Sequence, residues 1–408
     1  MAWPRNHGDD PALDEKRAAW RDRFAASDAA AGIEVTAEFT PFHQRNDAFT
    51  RAFWDADVRS AKTDAFFASY RMEAAPRRGA GFTQRDFALR NASWLISDVI
   101  TNRGAETGER EGFQAPIRND TPVAADKVDV EDPAKMTAEI KRIAAFFGAD
   151  LCAVTDFDER WLYQTRVDTR DFSSAPNDLP AGLTSVIVLG HQMDEGLVAT
   201  YPSALAGAAT GREYSHEAAV VMQLAAYIRN LGYEATASMN DTGLVIPYAI
   251  KAGLGEYARN QLVITPEFGP RLRFSKIFTN LPLTHDAPRQ MGVAAFCAIC
   301  DRCAKACPAK ALPFGAPDDA PVGASSIKGV RKWTSDAVAC FGYWAKLASD
   351  CAICMRVCPF NRDFSKRRNR WWLRLALSPL RRWALWLDDK SGRAKRKKPT
   401  EWWAENDS

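Results

Sequence analysis

Eight of the nine cysteines in this 408-residue chain fall between residues 297 and 358, and so many thiols in so short a span decide what that region folds around. The first block reads CAICDRCAKACP, with Cys297, Cys300, Cys303 and Cys307 at C-x2-C-x2-C-x3-C and Pro308 next. The second reads CAICMRVCP, with Cys351, Cys354 and Cys358 at C-x2-C-x3-C and Pro359 next. Cys340 stands apart, eleven positions before Cys351. Three thiolates on one tight loop can reach three corners of a cubane, while the fourth, displaced by three residues and diverted by proline, reaches a neighbouring cluster. The spacing assigns Cys297, Cys300, Cys303 and Cys358 to one [4Fe–4S] cluster, and Cys307, Cys340, Cys351 and Cys354 to a second. Cys340 is the ligand that departs from the tight pattern. Disulfides would need an oxidising compartment and usually a small secreted domain. Zinc takes its thiolates in fours without this proline-terminated run.

The pattern is that of a bacterial two-cluster ferredoxin, but the chain is several times longer than such a module and suggests two or three domains. A net charge of +3 is too small to imply nucleic-acid or membrane binding by itself. The N-terminus, MAWPRNHGDDPALDEKRAAW, carries neither an apolar leader segment nor a twin arginine. No apolar run is long enough to span a bilayer, so the expected location is cytoplasmic. The ninth cysteine, Cys152, sits in an apolar strand-like run and reads as a buried core thiol.

Residues 1–110 read as a helical, aromatic-rich N-terminal region. In it, Phe87, Leu89, Trp94, Leu95 and Val99 predict a packed helix. Residues 104–130 are polar and glycine-containing, and read as a linker or loop. A core follows at 111–285. Its predicted elements are a helix ending at Gly148, strands at DLCAVT and TSVIVL, and a helix capped by Ser215 and ending at Gly232. Beyond these come a short strand YEATASM, a turn at 239–243, and a helix that gives way at Gly253 and Gly255. LVIT–PEFGP–RLRFSKIFTN then reads as strand, turn, strand. The cysteine module occupies 286–365, and a basic, tryptophan-rich tail 366–408. That tail could lie on a membrane surface or contact nucleic acid. Pro379 interrupts its helix, which favours packing of the Trp and Leu faces on the domains.

No GxGxxG, no GxxxxGK[ST] and no corrinoid-ligating D-x-H-x-x-G occurs, and none of His7, His43, His191, His216 and His285 has that last setting. The segment from Tyr214 through SMND and AGLGEYARNQLVITPEFGPRLRFSKIFTN to the cysteine runs resembles the corrinoid-dependent reductive dehalogenases. WLDD, the basic stretch and EWW in the tail resemble the end of that family, so the likeness covers most of the chain beyond residue 35. The resemblance implies an α+β or α/β fold: a nitroreductase-like core binding cobalamin base-off, with no protein ligand on cobalt, joined to the two-cluster ferredoxin-like module. Gly253 and Gly255 mark a candidate corrinoid-binding segment. The family's tyrosine before a helix, asparagine in the next turn and arginine after TPEFGP correspond to Tyr214, Asn240 and Arg273.

That resemblance implies reductive removal of halogen from an organohalide, an aromatic or phenolic one in the first instance. Tyr214 would give the proton, Arg273 would stabilise the phenolate left behind, and Asn240 would hold the phenol or substrate in line. A free tyrosine, with a pKa of about 10, surrenders its proton only to a strongly basic centre. Electrons would come from a separate ferredoxin or flavin reductase, and no nucleic-acid partner is expected. An epoxyqueuosine-reductase-like enzyme shares the corrinoid core and paired clusters, but would call for a tRNA-binding surface. A non-catalytic iron–sulfur electron-transfer subunit would need no corrinoid at all.

Overall fold

The computed structural model describes residues 11–70, 79–101, 114, 115, 117 and 121–404. Most of the linker expected at 104–130 lies outside them, as do residues 1–10 and 405–408 of the chain ends. The chain opens with α1 (Pro11–Ala31), β1 (Val35–Thr40), α2 (Ala48–Trp54), α3 (Ala61–Ala68) and α4 (Gln84–Ile100). The core comprises α5 (Pro133–Phe147), β2 (Leu151–Asp156), β3 (Arg166–Val167), β4 (Ser174–Ala175), β5 (Ser185–Gln192), α6 (Glu195–Val198) and α7 (Ala204–Asn230). It continues with β6 (Ala235–Ser238), α8 (Val245–Lys251), β7 (Glu256–Tyr257), β8 (Val263–Ile264) and β9 (Leu272–Thr279). The cysteine region holds α9 (Val293–Cys297), α10 (Arg302–Ala306), β10 (Lys328–Val330), α11 (Ala337–Leu347) and α12 (Ile353–Arg356). The tail forms α13 (Arg367–Ala376), α14 (Arg381–Ser391) and α15 (Pro399–Ala404).

Four strands in the order β2-β5-β9-β6 make the central sheet. All its ladders are antiparallel, so the fold is α+β and not a parallel α/β sheet. The unbroken apolar run of β5 is explained by burial on both faces. Successive side chains point to opposite sides. Ile187 and Leu189 meet α5 and α7 through Ile140, Ala144, Val221 and Leu224. Val186 and Val188 meet Tyr248 and Ala249 of α8, together with Trp161. β1 pairs antiparallel with β10, and Phe49 and Phe66 pack on Phe341 of α11 at ring separations of 4.7 and 5.4 Å. The N-terminal region is thereby tied to the cysteine region.

Two helix expectations need correction. α7 is capped by Ser203, whose side chain accepts from the Ala206 amide, twelve residues before the predicted cap. Ser215 is mid-helix, and its hydroxyl donates to the Ser93 carbonyl at 2.6 Å. Gly207 and Gly211 look like breakers, but they let α4 approach closely. A Cβ at Gly211 would lie 2.4 Å from Trp94 and one at Gly207 2.9 Å from Arg90. On α4, Phe87 and Trp94 are buried as expected, whereas Leu95 and Val99 are exposed. Arg90 holds the inward position instead, because it donates to the Ala348 carbonyl and the Ser69 hydroxyl and lies 4.0 Å from the centre of the Tyr70 ring.

The LVIT and RLRFSKIFTN strands do not pair with each other. β8 pairs with β7, and β9 sits inside the main sheet. The tail is only partly covered. Trp372 is buried and donates to the Ala384 carbonyl, and Trp403 donates to Asp86, while Trp371, Leu380, Trp383 and Trp386 are exposed. No helix among the described residues is long and apolar enough to cross a membrane.

Candidate active site

Tyr214 lies on the inner face of α7 and packs on Trp94, the rings tilted by 33° at a centroid separation of 4.4 Å. One turn further along that helix, on the same side, Glu217 accepts from Arg273 Nε of β9 at 2.9 Å. The Arg273 guanidinium stands 3.4 Å from the centre of the Tyr214 ring, and its Nη2 is 3.4 Å from Asn240 Oδ1. Asn240 Nδ2 donates to the Tyr214 hydroxyl at 2.5 Å. The three residues singled out from sequence are therefore brought together, from a helix, a turn and a strand. Tyr214 lies within a helix and not ahead of one.

The turn that carries Asn240 is held from several sides. Lys276 donates to the Met239 and Asp241 carbonyls at 2.7 and 3.1 Å. Ser238 donates to the Asp241 carbonyl, and Tyr163 to the Asn240 carbonyl at 2.8 Å. Thr242 adopts φ +67°, in the left-handed region. Burial lowers Lys276 to about 8. Burial also pushes Glu217 up to about 7, against the pull of Arg273. Burial works to lower Arg273, yet Glu217 and Tyr214 beside it raise its pKa above the ordinary value. Glu217, Lys276, Tyr163 and Trp94 were not visible as site residues in the sequence. The available signal was a carboxylate three residues after the tyrosine in a helix.

Tyr214, Asn240 and Arg273 form part of the wall of a cavity of about 680 Å³. Its other walls include Tyr70, Trp94 and Tyr163, the chain from Gly243 to Pro247, and Lys332–Ser335 and Trp344 of the cysteine region. Gly253 and Gly255 are not among its lining residues. A Cβ at either would come 2.2 Å from a backbone carbonyl, that of Ala287 or Ile264, so packing within the chain already accounts for both glycines. Their neighbours Glu256 and Tyr257 do line the cavity.

The eight cysteines of residues 297–358 divide into two groups of four. Cys297, Cys300, Cys303 and Cys358 surround a void of about 20 Å³ walled by Phe296 and Phe360. Cys307, Cys340, Cys351 and Cys354 gather in the second group, beside Trp344 and Asp350. Burial pushes Cys297, Cys303 and Cys351 up to about 12 and Cys340 to about 11. Enclosed thiols in fours favour coordination to iron, which takes them as thiolates. Arg259, also missed in the sequence, secures the first loop by donating to the Cys297 and Cys300 carbonyls and to Pro313. Cys152 is partly buried against the α7 side of the sheet, and burial raises it to about 12.

A family model described as a 4Fe-4S double cluster binding domain matches residues 296–361. A tetrachloroethene reductive dehalogenase of Dehalobacter restrictus is 35% identical over 272 residues, 57% of this chain and 48% of that protein. Another, from Sulfurospirillum multivorans, is 29% identical over 453 aligned positions, which take in 97% of this chain and 88% of that protein. This chain is a relative of the reductive dehalogenases. Among solved structures, the catabolic reductive dehalogenase NpRdhA superposes with a TM-score of 0.69 at 21% identity, over 89% of this chain and 48% of that one. The reductive dehalogenase fold thus extends across nearly the whole of this relative. The chain nonetheless spans about half the length of the Dehalobacter protein and of NpRdhA. Epoxyqueuosine reductases match over a shorter stretch, about a third of the chain.

Proposed function

We propose that this protein reductively dehalogenates an organohalide, with Tyr214 as proton donor, a corrinoid in the cavity and two [4Fe–4S] clusters as the electron path. The observation that carries the reading is the phenol of Tyr214 on the cavity wall, held by Asn240 at 2.5 Å with Arg273 against its ring. The same cavity runs on to the residues that neighbour the second cysteine group, Trp344 and Asp350.

A corrinoid fits this setting by the character of the lining. The walls are mostly aromatic, aliphatic and main-chain, and no histidine is among the described lining residues to offer cobalt an imidazole. The chain from Gly243 to Pro247 and residues 330–335 would hold the ring edges. Bound there, a corrinoid would supply the low-valent metal chemistry that carbon–halogen cleavage needs, and the clusters would pass it electrons singly.

The chain's own residues account for the proton. Replacing halogen by hydrogen consumes two electrons and one proton and releases halide. Tyr214 gives its hydroxyl proton to the carbon that loses halide. The phenolate so formed is met by the Arg273 guanidinium and by the Asn240 amide, a donor already aimed at that oxygen. Glu217 fixes Arg273 in place from behind. Tyr70, Trp94, Tyr163 and Trp344 offer stacking faces, which support an aromatic or phenolic substrate. A separate ferredoxin or flavin reductase would supply the electrons.

The test is anaerobic reconstitution with iron, sulfide and cobalamin, followed by halide release from a bromophenol and from tetrachloroethene under a chemical reductant. EPR of the Co(II) form, with and without bromophenol, accompanies it. Halide release with a substrate-sensitive base-off signal supports the proposal, and release from tetrachloroethene alone would reassign the substrate class. Corrinoid binding without halide release from either compound would sink the dehalogenase reading.

A further inference from the structure

Behind the Tyr214–Arg273 pair lies a group of side chains for which the proposed chemistry has no use. His191, near the end of β5, stands opposite Arg273 in the β5–β9 register. It is fully buried at 0% exposure, and neither ring nitrogen has a hydrogen-bond partner. Buried polar groups are nearly always satisfied, so an enclosed imidazole with two idle nitrogens calls for an explanation.

α7 supplies two more donors at the same place. Glu213 is 1% exposed, and His216 one turn on is partly exposed, with its ring 5.2 Å from that of His191. His216 Nδ1 lies 3.6 Å from Glu213 Oε2. Its Nε2 faces Gly148, where a Cβ would intrude to 2.6 Å, so the glycine that ends α5 also makes room for this ring. One ligating atom from each of His191, Glu213 and His216 falls within 4.8 Å of the other two. Bonds of about 2.1 Å to a tetrahedral ion put ligand atoms roughly 3.4 Å apart, so a closure of at most about 1.4 Å, led by the partly exposed His216, completes the set.

We propose that His191, Glu213 and His216 bind one divalent transition-metal ion, zinc by preference, which clamps α7 to β5 directly behind Tyr214. Two imidazoles and one carboxylate suit zinc-like ions better than calcium or magnesium, which take all-oxygen shells. Three protein ligands leave a fourth position open toward the solvent side of His216. Burial lowers His191 to about 3 and keeps its ring neutral, the form that ligates. Burial likewise raises Glu213 to about 7, a carboxylate that a cation would stabilise. The exposed Arg212, with Nε 3.5 Å from Glu213 Oε1, is the competing cation, and Asp150 adds negative charge nearby.

The experiment uses the tag-free protein with its iron–sulfur clusters loaded, incubated with zinc and dialysed. Zinc and iron are counted by elemental mass spectrometry, and unfolding is followed with and without zinc. About one zinc per chain beyond the iron, with an upward shift in Tm, is expected for this ligand set. Glu213→Gln and His216→Ala should each keep their iron and fold, yet lose the zinc and the Tm response. Retained iron shows that zinc is not being scavenged by cluster cysteines. The site does not exist if the wild-type chain takes up no more zinc than His216→Ala, or if either variant keeps its zinc.

Discussion

Tyr214→Phe removes one oxygen atom from the site and leaves its packing in place. The ring still packs on Trp94 at 4.4 Å and still meets Arg273 at 3.4 Å. What disappears is the 2.5 Å hydrogen bond from Asn240, the contact of Arg273 with the same oxygen and the ionisable proton. Loss of one hydrogen bond of this type costs about 0.5–1.5 kcal/mol. Asn240 faces the cavity and can turn its amide to water, which places the cost toward the lower end. A positioned general acid contributes about 10²- to 10⁴-fold, equivalent to roughly 3–5 kcal/mol of activation free energy. The variant should therefore fold with nearly wild-type Tm and full iron and corrinoid content, while halide release falls by about a hundredfold or more. The assay is anaerobic, with chemical reductant in excess so that electron supply does not limit the rate. Turnover within about threefold of wild type would refute the reasoning and leave water or another group as the proton source. A loss of more than about 3 kcal/mol in stability would equally contradict the structural argument, since nothing but the oxygen is removed.

The neighbouring groups make further claims. Glu217→Ala strands the Arg273 guanidinium without its buried partner and should cost about 3–5 kcal/mol in denaturant unfolding, whereas Glu217→Gln, which keeps an acceptor, should cost clearly less. Asp158 is buried, which opposes its charge, but Arg160 and Lys251 hold its carboxyl below the ordinary range. A depressed carboxyl contributes stability above its unfolded pKa of about 3.9 that is lost as pH falls through the lower folded value. Asp158→Asn should thus destabilise the protein at neutral pH and flatten the decline of Tm with acid below about pH 4. Cys340→Ala should lose about half the cluster iron, because only the second group depends on it, and an unchanged iron content would show that another ligand completes that cluster.

Much of this protein was legible along the chain because its determinants are local. Ligand spacing within a few residues groups Cys297, Cys300 and Cys303, and the displaced, proline-followed position of Cys358 in the second run assigns it to the same cluster. β5 could be read from its unbroken β-branched run, and the end of α5 from Gly148. Tyr214, Asn240 and Arg273 could be picked out only through the resemblance, since each residue type is common in its local setting.

What failed or was missed depended on partners far away in sequence. Gly207 and Gly211 resemble breaks until α4 lies against them, and only then does α7 run on through Tyr214. The buried face of α4 could not be found from apolar spacing, because Arg90 is satisfied by a carbonyl 258 positions away. Sequence alone determined the cluster chemistry and the main strands and helices, through spacing and hydrophobic period. Only the tertiary structure decided that Glu217 backs Arg273, that Lys276 ties the Asn240 turn, and that His191 meets Glu213 and His216. Those meetings depend on the β5–β9 register and on the packing of α7 across the sheet, long-range pairings that no local propensity encodes.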